Sequence, residues 1–185
     1  MNVYDFDGTI YDGDTSIDFY LFALVRHPIL VLLLPFQLWG ILAYLLGFWS
    51  KERMKGAFFS FVPHIPLERM VQEFWKSKAH KIQPWYLEQR REDDLIISAS
   101  PGFLLEPFVR DYLHCGILAS PVDPQTGAYR GKNCRGEEKV KRFRERYEEE
   151  KIDAFYSDDY ADMPLMRIAE QAFLVKRKTI NKVEL

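Results

Sequence analysis

Asp5-Phe6-Asp7-Gly8-Thr9 sets two carboxylates two positions apart, directly after a short apolar run. Such a pair suits a hard cation combined with nucleophilic or acid–base work. In a parallel α/β sheet that chemistry belongs at the carboxyl end of a strand, where ligands bind. Gly8 permits the sharp turn needed there. An Asp-x-Asp alone would be a weak signal, because acidic turns are commonly just solvated. The full pentapeptide at the end of an apolar strand is a much stronger one.

The elements around it define the scaffold. Asn2–Phe6 reads as a short buried strand, and Gly8, Asp12, Gly13 and Asp14 mark a loop. From Ser16 to Trp49 the pattern is helical and very apolar, broken at Arg26-His27-Pro28 and at Pro35. A helix over 50–61 follows, with Ser50 as its N-cap. After the break at 62–66, Leu67, Met70, Val71 and Phe74 predict an amphipathic helix from Leu67 to about Arg90. The pattern then alternates. Strands are predicted at 94–98, 116–119, 154–156 and 172–175, and helices at 102–113, 137–149 and 163–170. Residues 121–131 are turn-rich, with room for a small hairpin. Alternating strands and helices predict an α/β fold with a Rossmann-like, doubly wound parallel sheet. Residues 1–13 and 92–185 form the expected core, and 14–91 an inserted helical cap.

The pentapeptide resembles the first motif of the haloacid dehalogenase superfamily, which requires three more motifs in order. Leu95-Ile96-Ile97-Ser98, continuing Ala99-Ser100-Pro101, resembles the second, a Ser or Thr ending the next core strand. Gly136-Glu137-Glu138-Lys139 resembles the third, a Lys near a helix start. Phe155-Tyr156-Ser157-Asp158 through Asp162 resembles the fourth, an acidic pair spaced Asp-x-x-x-Asp. Ser157 stands where that family usually has Gly. The contexts 134–140 and 156–165 are similar to the phosphoserine-phosphatase-like branch, and within it to the phosphatidylglycerophosphatase C group.

The resemblance implies a Mg2+-dependent phosphomonoester hydrolase. Asp5 would attack phosphorus and form an aspartyl-phosphate, and Asp7 would protonate the leaving oxygen and later activate water. Gly8, Thr9, Ser98, Ala99 and Lys139 would bind the phosphoryl group, Ser98 by hydrogen bond and Lys139 by charge. Asp5, Asp158 and Asp162 would hold Mg2+, with Asp7 contributing its backbone carbonyl. Taken singly, each residue has a plainer reading. Ser98 is a strand-end hydroxyl, and Asp158 and Asp162 are helix-start acids. Ser100 is a turn residue before Pro101, and Asp159 a solvated or outer acid. Lys132 and Arg135 compete with Lys139 for the cation's role.

The 185 residues suit one domain with an insertion. A net charge of -2, from 25 basic and 27 acidic residues, lacks the footprint of a nucleic-acid binder. Cys115 and Cys134 are too few for a disulfide scaffold and lack metal-ligand spacing. The acidic start, with no basic segment before an apolar run, does not read as a secretory signal.

Residues 28–50 contain no Asp, Glu, Lys or Arg. One membrane crossing there would separate Asp5 from Ser98, Lys139 and Asp158, which must meet. Two crossings need roughly 40 apolar residues, more than 17–49 supplies. Buried cap core and a homodimer interface are two readings of residues 28–49. The favoured third is a monotopic hairpin bent at Pro35, on the cytoplasmic side of an inner membrane. Trp39, Tyr44 and Trp49, with Arg26, Lys51, Arg53 and Lys55 at the flanks, suit that position. The expected substrate is then a lipid-headgroup phosphate such as phosphatidylglycerophosphate. The alternatives are a soluble phosphoserine-like metabolite, or a non-catalytic membrane-associated protein of the same fold. Arg26, His27, Arg53 and Lys55 are read as solvated flanks rather than headgroup ligands.

Overall fold

A computed structural model describes residues 1–177 and 179–184. Strand β1 (Asn2–Tyr4) occupies the middle of a six-stranded sheet. On one side it pairs with β2 (Leu95–Pro101), which pairs with β3 (Gly116–Ser120). On the other it pairs with β4 (Ile152–Ser157), followed by β5 (Ala169–Lys176) and β6 (Thr179–Val183). The first five strands are parallel, and β6 returns antiparallel along β5. The chain leaves β1 in one direction and comes back on its other side at β4. That reversal creates the crevice in which α/β folds bind ligands.

Alternation along the strands divides the interior in two. Tyr4 and Ile96 face one side, packing with helix α6 (Gly102–Phe108) and the helical insertion. Val3, Leu95, Ile97 and Phe155 face the other, under α7 (Glu137–Arg146) and α8 (Met163–Met166). Side chains of a strand point alternately up and down, so each face collects every second residue.

Between β1 and β2 run α1 (Thr15–Arg26), α2 (Leu34–Leu45), α3 (Lys51–Phe58), α4 (Leu67–Lys78) and α5 (Pro84–Gln89). Short 3-10 turns join them at Pro28–Leu33, Phe59–His64 and Ala79–Lys81. Much of the chain's aromatic content lies here. Phe19, Phe59, Phe61 and Phe74 are buried together, and Trp75 stacks on Phe108 of α6 with ring centroids 4.0 Å apart. The Trp75 indole also donates to the Leu104 carbonyl at 2.7 Å. The insertion therefore shares one core with the sheet.

Helix α2 is built inside out. Its buried positions are Gln37, Gly40 and Ala43, and its large apolar side chains face outward. Gly40 lies against Ala57 of α3, where a Cβ would come within 2.8 Å of the alanine methyl. Small residues let the two helices approach closely, and the bulky ones are left on the far side. Leu32, Leu45 and Phe48 are each more than 70% exposed.

The sequence reading differs from the structure in four elements. The helix expected over 67–90 ends at Lys78, passes through the 3-10 turn Ala79–Lys81 and extended backbone at Ile82, and a separate helix α5 starts at Pro84, whose fixed φ suits a first helical position. The helix expected at 163–170 stops at Met166, since Ala169 already enters β5. The turn-rich segment makes a single antiparallel bridge, Val122 to Tyr129. Strand β6 was not expected: it is an edge strand with no buried residue, carrying Asn181 at its middle and Lys182 next to it, a polar pattern typical of edges.

Candidate active site

Register brings the motif residues to one edge. Tyr4 pairs with Ile96 on one side and Tyr156 on the other. Asp5–Asp7 and Asp158–Asp162, which follow β1 and β4, and Ser98–Ser100, in the last part of β2, therefore lie side by side at the ends of three adjacent strands. They surround a cleft of about 430 Å³ lined by Asp5, Asp7, Ala99, Lys139, Asp158 and Asp162, with α1 to α3 as its opposite wall.

Lys139 is fully buried in the first turn of α7, and its Nζ donates to Asp5 Oδ1 and to Asp162 Oδ2, each at 2.6 Å. Burial works against its charge, but Asp5 and Asp162 together outweigh that and hold the ammonium well above its ordinary pKa. Burial lifts the Asp5 carboxyl to about 7, with Lys139 opposing the rise and Asp162 and Asp7 adding to it. Lys132 is exposed, and Arg135 pairs with Asp159 at the cleft's edge. Lys139 is thus the cation that touches both motif acids.

Asp7 is held from three directions. The Thr15 backbone N–H and Oγ1 donate to its Oδ1 at 2.7 and 2.6 Å, and Ser100 Oγ donates to its Oδ2 at 2.5 Å. Burial and the neighbouring Asp14 raise its carboxyl to about 6 against these bonds. Ser100 is no turn residue: it lies in β2 and contacts Thr15 and Ser16 as well. The loop carrying Asp7 is braced by Tyr11 and Lys81, both of which donate to Asp18 Oδ2 at 2.6 Å.

Gly8 has φ +72°, and a Cβ there would collide with the Asp158 carboxylate. Its role is close approach as much as turning. Thr9 is buried, with an Oγ1 that has no partner. Ser98 is also fully buried, and its Oγ accepts from the Ser100 backbone N–H at 3.1 Å. Ala99, rather than Ser98, lines the cleft. Ser157 earns its place in the acidic loop by donating to Asp162 Oδ2 at 2.9 Å.

The donor set fits a hard divalent cation. Asp5, Asp158 and Asp162 are oxygen donors around one cleft, and the buried Asp162 Oδ1 has no hydrogen-bond partner. An orphaned buried carboxylate oxygen calls for a positive neighbour. Among the described residues, no three His, Cys, Asp or Glu side chains already close around one point. Lys139 stands between Asp5 and Asp162 instead.

Two residues read in the sequence as basic flanks of the apolar segment enter the cleft from α3. Lys55 is no solvated flank: its Nζ donates to Asn133 Oδ1 at 2.8 Å and reaches the Ala99 carbonyl at 3.4 Å. Lys51, one turn earlier, lines the same wall. Their i, i+4 spacing was the available signal.

The chain matches the haloacid dehalogenase-like hydrolase family over residues 3–167. It belongs to that family. Among solved structures it is similar to a Bordetella pertussis Tohama I protein of unknown function, at 17% identity and a TM-score of 0.73 over 93% of this chain and 87% of that one. It is also similar to a phosphoserine phosphohydrolase-like protein from Francisella tularensis subsp. tularensis SCHU S4, at 17% identity and a TM-score of 0.58 over 93% and 86%. A phosphoserine phosphatase from T. onnurineus aligns at 20% identity and a TM-score of 0.51 over 96% and 84%. These likenesses establish a shared fold. No curated protein matches the chain by sequence.

Proposed function

We propose that this hydrolase cleaves phosphomonoesters through Asp5. The observation that carries the reading is Lys139 bridging Asp5 and Asp162 beside an independently held Asp7. Lys139 occupies Asp5 Oδ1, leaving Oδ2 to attack phosphorus. The Asp5–phosphorus bond forms as the bond to the leaving alcohol breaks, and Asp7 gives that alcohol its proton. Asp7 then takes a proton from water, which attacks the aspartyl-phosphate and frees phosphate and Asp5. A Mg2+ ion held by Asp5, Asp158 and Asp162 would neutralise charge on the phosphoryl oxygens.

A lipid-headgroup phosphate is the substrate class this reading favours. Ile17 and Ile41 both line the cleft and belong to the exposed apolar face of α1 and α2, so the face runs to the cleft's mouth. Arg26 and Arg53 sit over Phe22 and Trp49 at its margins, where basic residues suit anionic headgroups, although Arg26 is also paired with Glu73. A bilayer is preferred to a second copy of the chain, because a protein partner on this face would also cover the opening. The phosphoserine phosphatase neighbours keep a soluble metabolite as the second reading.

The deciding experiment is Mg2+-dependent phosphate release from soluble and lipid phosphomonoesters, with and without detergent, by the wild type and Asp5→Asn. Release abolished by the variant supports the reaction, and no release from any substrate refutes it. Flotation with anionic liposomes separates the substrate classes: a protein left wholly in the soluble fraction rules out the lipid surface.

A further inference from the structure

We propose that Lys51 and Lys55 of α3, with Asn133, form a subsite for a second anionic group on the leaving alcohol. This deepens the phosphomonoesterase reading and rests on it.

Lys55 is half-buried, and its hydrogen bonds go to two neutral oxygens, Asn133 Oδ1 and the Ala99 carbonyl. Among the described residues neither Lys51 nor Lys55 makes a salt bridge, whereas Lys139 and Arg135 in the same cleft are both matched by aspartates. An ammonium withdrawn from water without a counter-ion is costly, and a site that keeps two is built to receive an anion. Lys51 and Lys55 are four residues apart, so one helix face presents both to the cleft.

Position fixes which part of a substrate they would meet. Ala99, whose carbonyl Lys55 reaches, adjoins Ser100, which holds Asp7. Asp7 serves the leaving oxygen, so the lysines stand on the leaving-group side, away from the Lys139 pair. Asn133 is buried and fixed from behind by Ser120 Oγ at 3.3 Å, and its backbone N–H donates to Glu52 Oε1 at 3.4 Å. Lys55 is thereby held in place before any ligand arrives. The ligand class is a phosphomonoester whose alcohol also bears a carboxylate or a phosphodiester.

Three soluble substrates separate the sources of that charge. Glycerol 3-phosphate carries no second anion, 3-phosphoglycerate adds a carboxylate, and glycerophosphoglycerol phosphate adds a phosphodiester. The wild type should favour at least one of the latter two over the first by about tenfold or more in kcat/KM. Lys55→Met should erase that preference while leaving glycerol 3-phosphate turnover within about threefold, Lys51→Met should narrow it, and Lys55→Arg should retain it. No preference in the wild type, or an equal loss on all three substrates in Lys55→Met, overturns the subsite. Calorimetry gives a readout free of turnover: glycerophosphoglycerol should bind the wild type and lose affinity in Lys55→Met, while inorganic phosphate binding is unchanged. Diester binding without hydrolysis of any substrate would sink the catalytic reading and keep the subsite. Absence of diester and carboxylate binding would sink the subsite alone.

Discussion

Ser100 Oγ lies 2.5 Å from Asp7 Oδ2, so a hydroxyl from the second strand holds a carboxylate that follows the first. Thr15, from the start of α1, holds the other oxygen of the same carboxylate. The group assigned to proton transfer is therefore positioned jointly by the sheet and the insertion. Ser100→Ala should lower kcat by about tenfold, with a smaller change in KM, because the lost hydroxyl positions Asp7 rather than binding substrate. Ser100→Thr should restore much of the rate. A variant that moves KM alone would contradict this assignment.

Removing the buried cation should be costly. Lys139→Met leaves Asp5 and Asp162 facing each other without compensation, a change that typically destabilises by about 3–5 kcal/mol. Thermal melts at pH 7 should record the loss. It should shrink as the pH is lowered, because burial already raises the Asp5 carboxyl and protonation removes its charge. Unchanged melting at pH 7 would mean that the pair is not structurally coupled to Lys139.

Gly8→Ala should cost activity more than its size suggests. The new methyl meets the Asp158 carboxylate, and φ +72° disfavours any residue with a Cβ. Phosphate release should fall by roughly two orders of magnitude, consistent with the sensitivity of oriented sites to small displacements. Circular dichroism should remain that of a folded α/β protein. An active Gly8→Ala enzyme would show that Asp158 has no fixed role.

Lys55 also predicts a pH effect on stability. Burial pushes its pKa down to about 8, with Lys51 and Arg135 adding to the fall and Asp14 and Asp7 opposing it. An unfolded lysine keeps its proton up to about 10.4. Between about 8 and that value the unfolded chain binds more protons, so this group's contribution to stability rises with pH. Lys55→Met should therefore raise the melting temperature at pH 7, and the gain should dwindle above pH 8. A gain that is constant from pH 7 to pH 10 would assign the effect to packing.

The exposed apolar surface of α2 and the turn after it has its own test. Leu45→Glu with Phe48→Glu changes two residues that each stand more than 70% exposed, so folding should be unaffected. Liposome flotation should drop severalfold while turnover of a soluble phosphomonoester is retained. Equal flotation of variant and wild type would place the contact elsewhere.

Much of this architecture is legible in the sequence, for physical reasons. Asn2–Tyr4 and Leu95–Ile97 read as strands because strands buried on both faces are continuously apolar. The order of Asp5, Lys139, Asp158 and Asp162 along the chain names residues that register gathers at one cleft, whereas Ser98 is fully buried and leaves the lining to Ala99 and Ser100. Ser100 and Lys55 were misread for one reason. Their roles depend on partners 93 and 78 positions away, Asp7 and Asn133; the i, i+4 spacing of Lys51 and Lys55 marks a shared helix face but not the cleft it lines. The inversion of α2 is hidden likewise. A helix apolar all round shows no preferred face, and only the small residues Gly40 and Ala43, packed toward α3, reveal which side turns inward.

The central position of β1 sets an order of events during synthesis. The strand is synthesised well before both of its neighbours, which begin at Leu95 and Ile152. At about 5–20 residues per second, it waits roughly 5–20 s for β2 and longer for β4. The outward-facing apolar helix emerges within that interval, before any sheet exists to organise the insertion around it. The nascent chain therefore exposes its stickiest surface early, and a bilayer or a chaperone that receives α2 then would protect the chain until the sheet closes around β1.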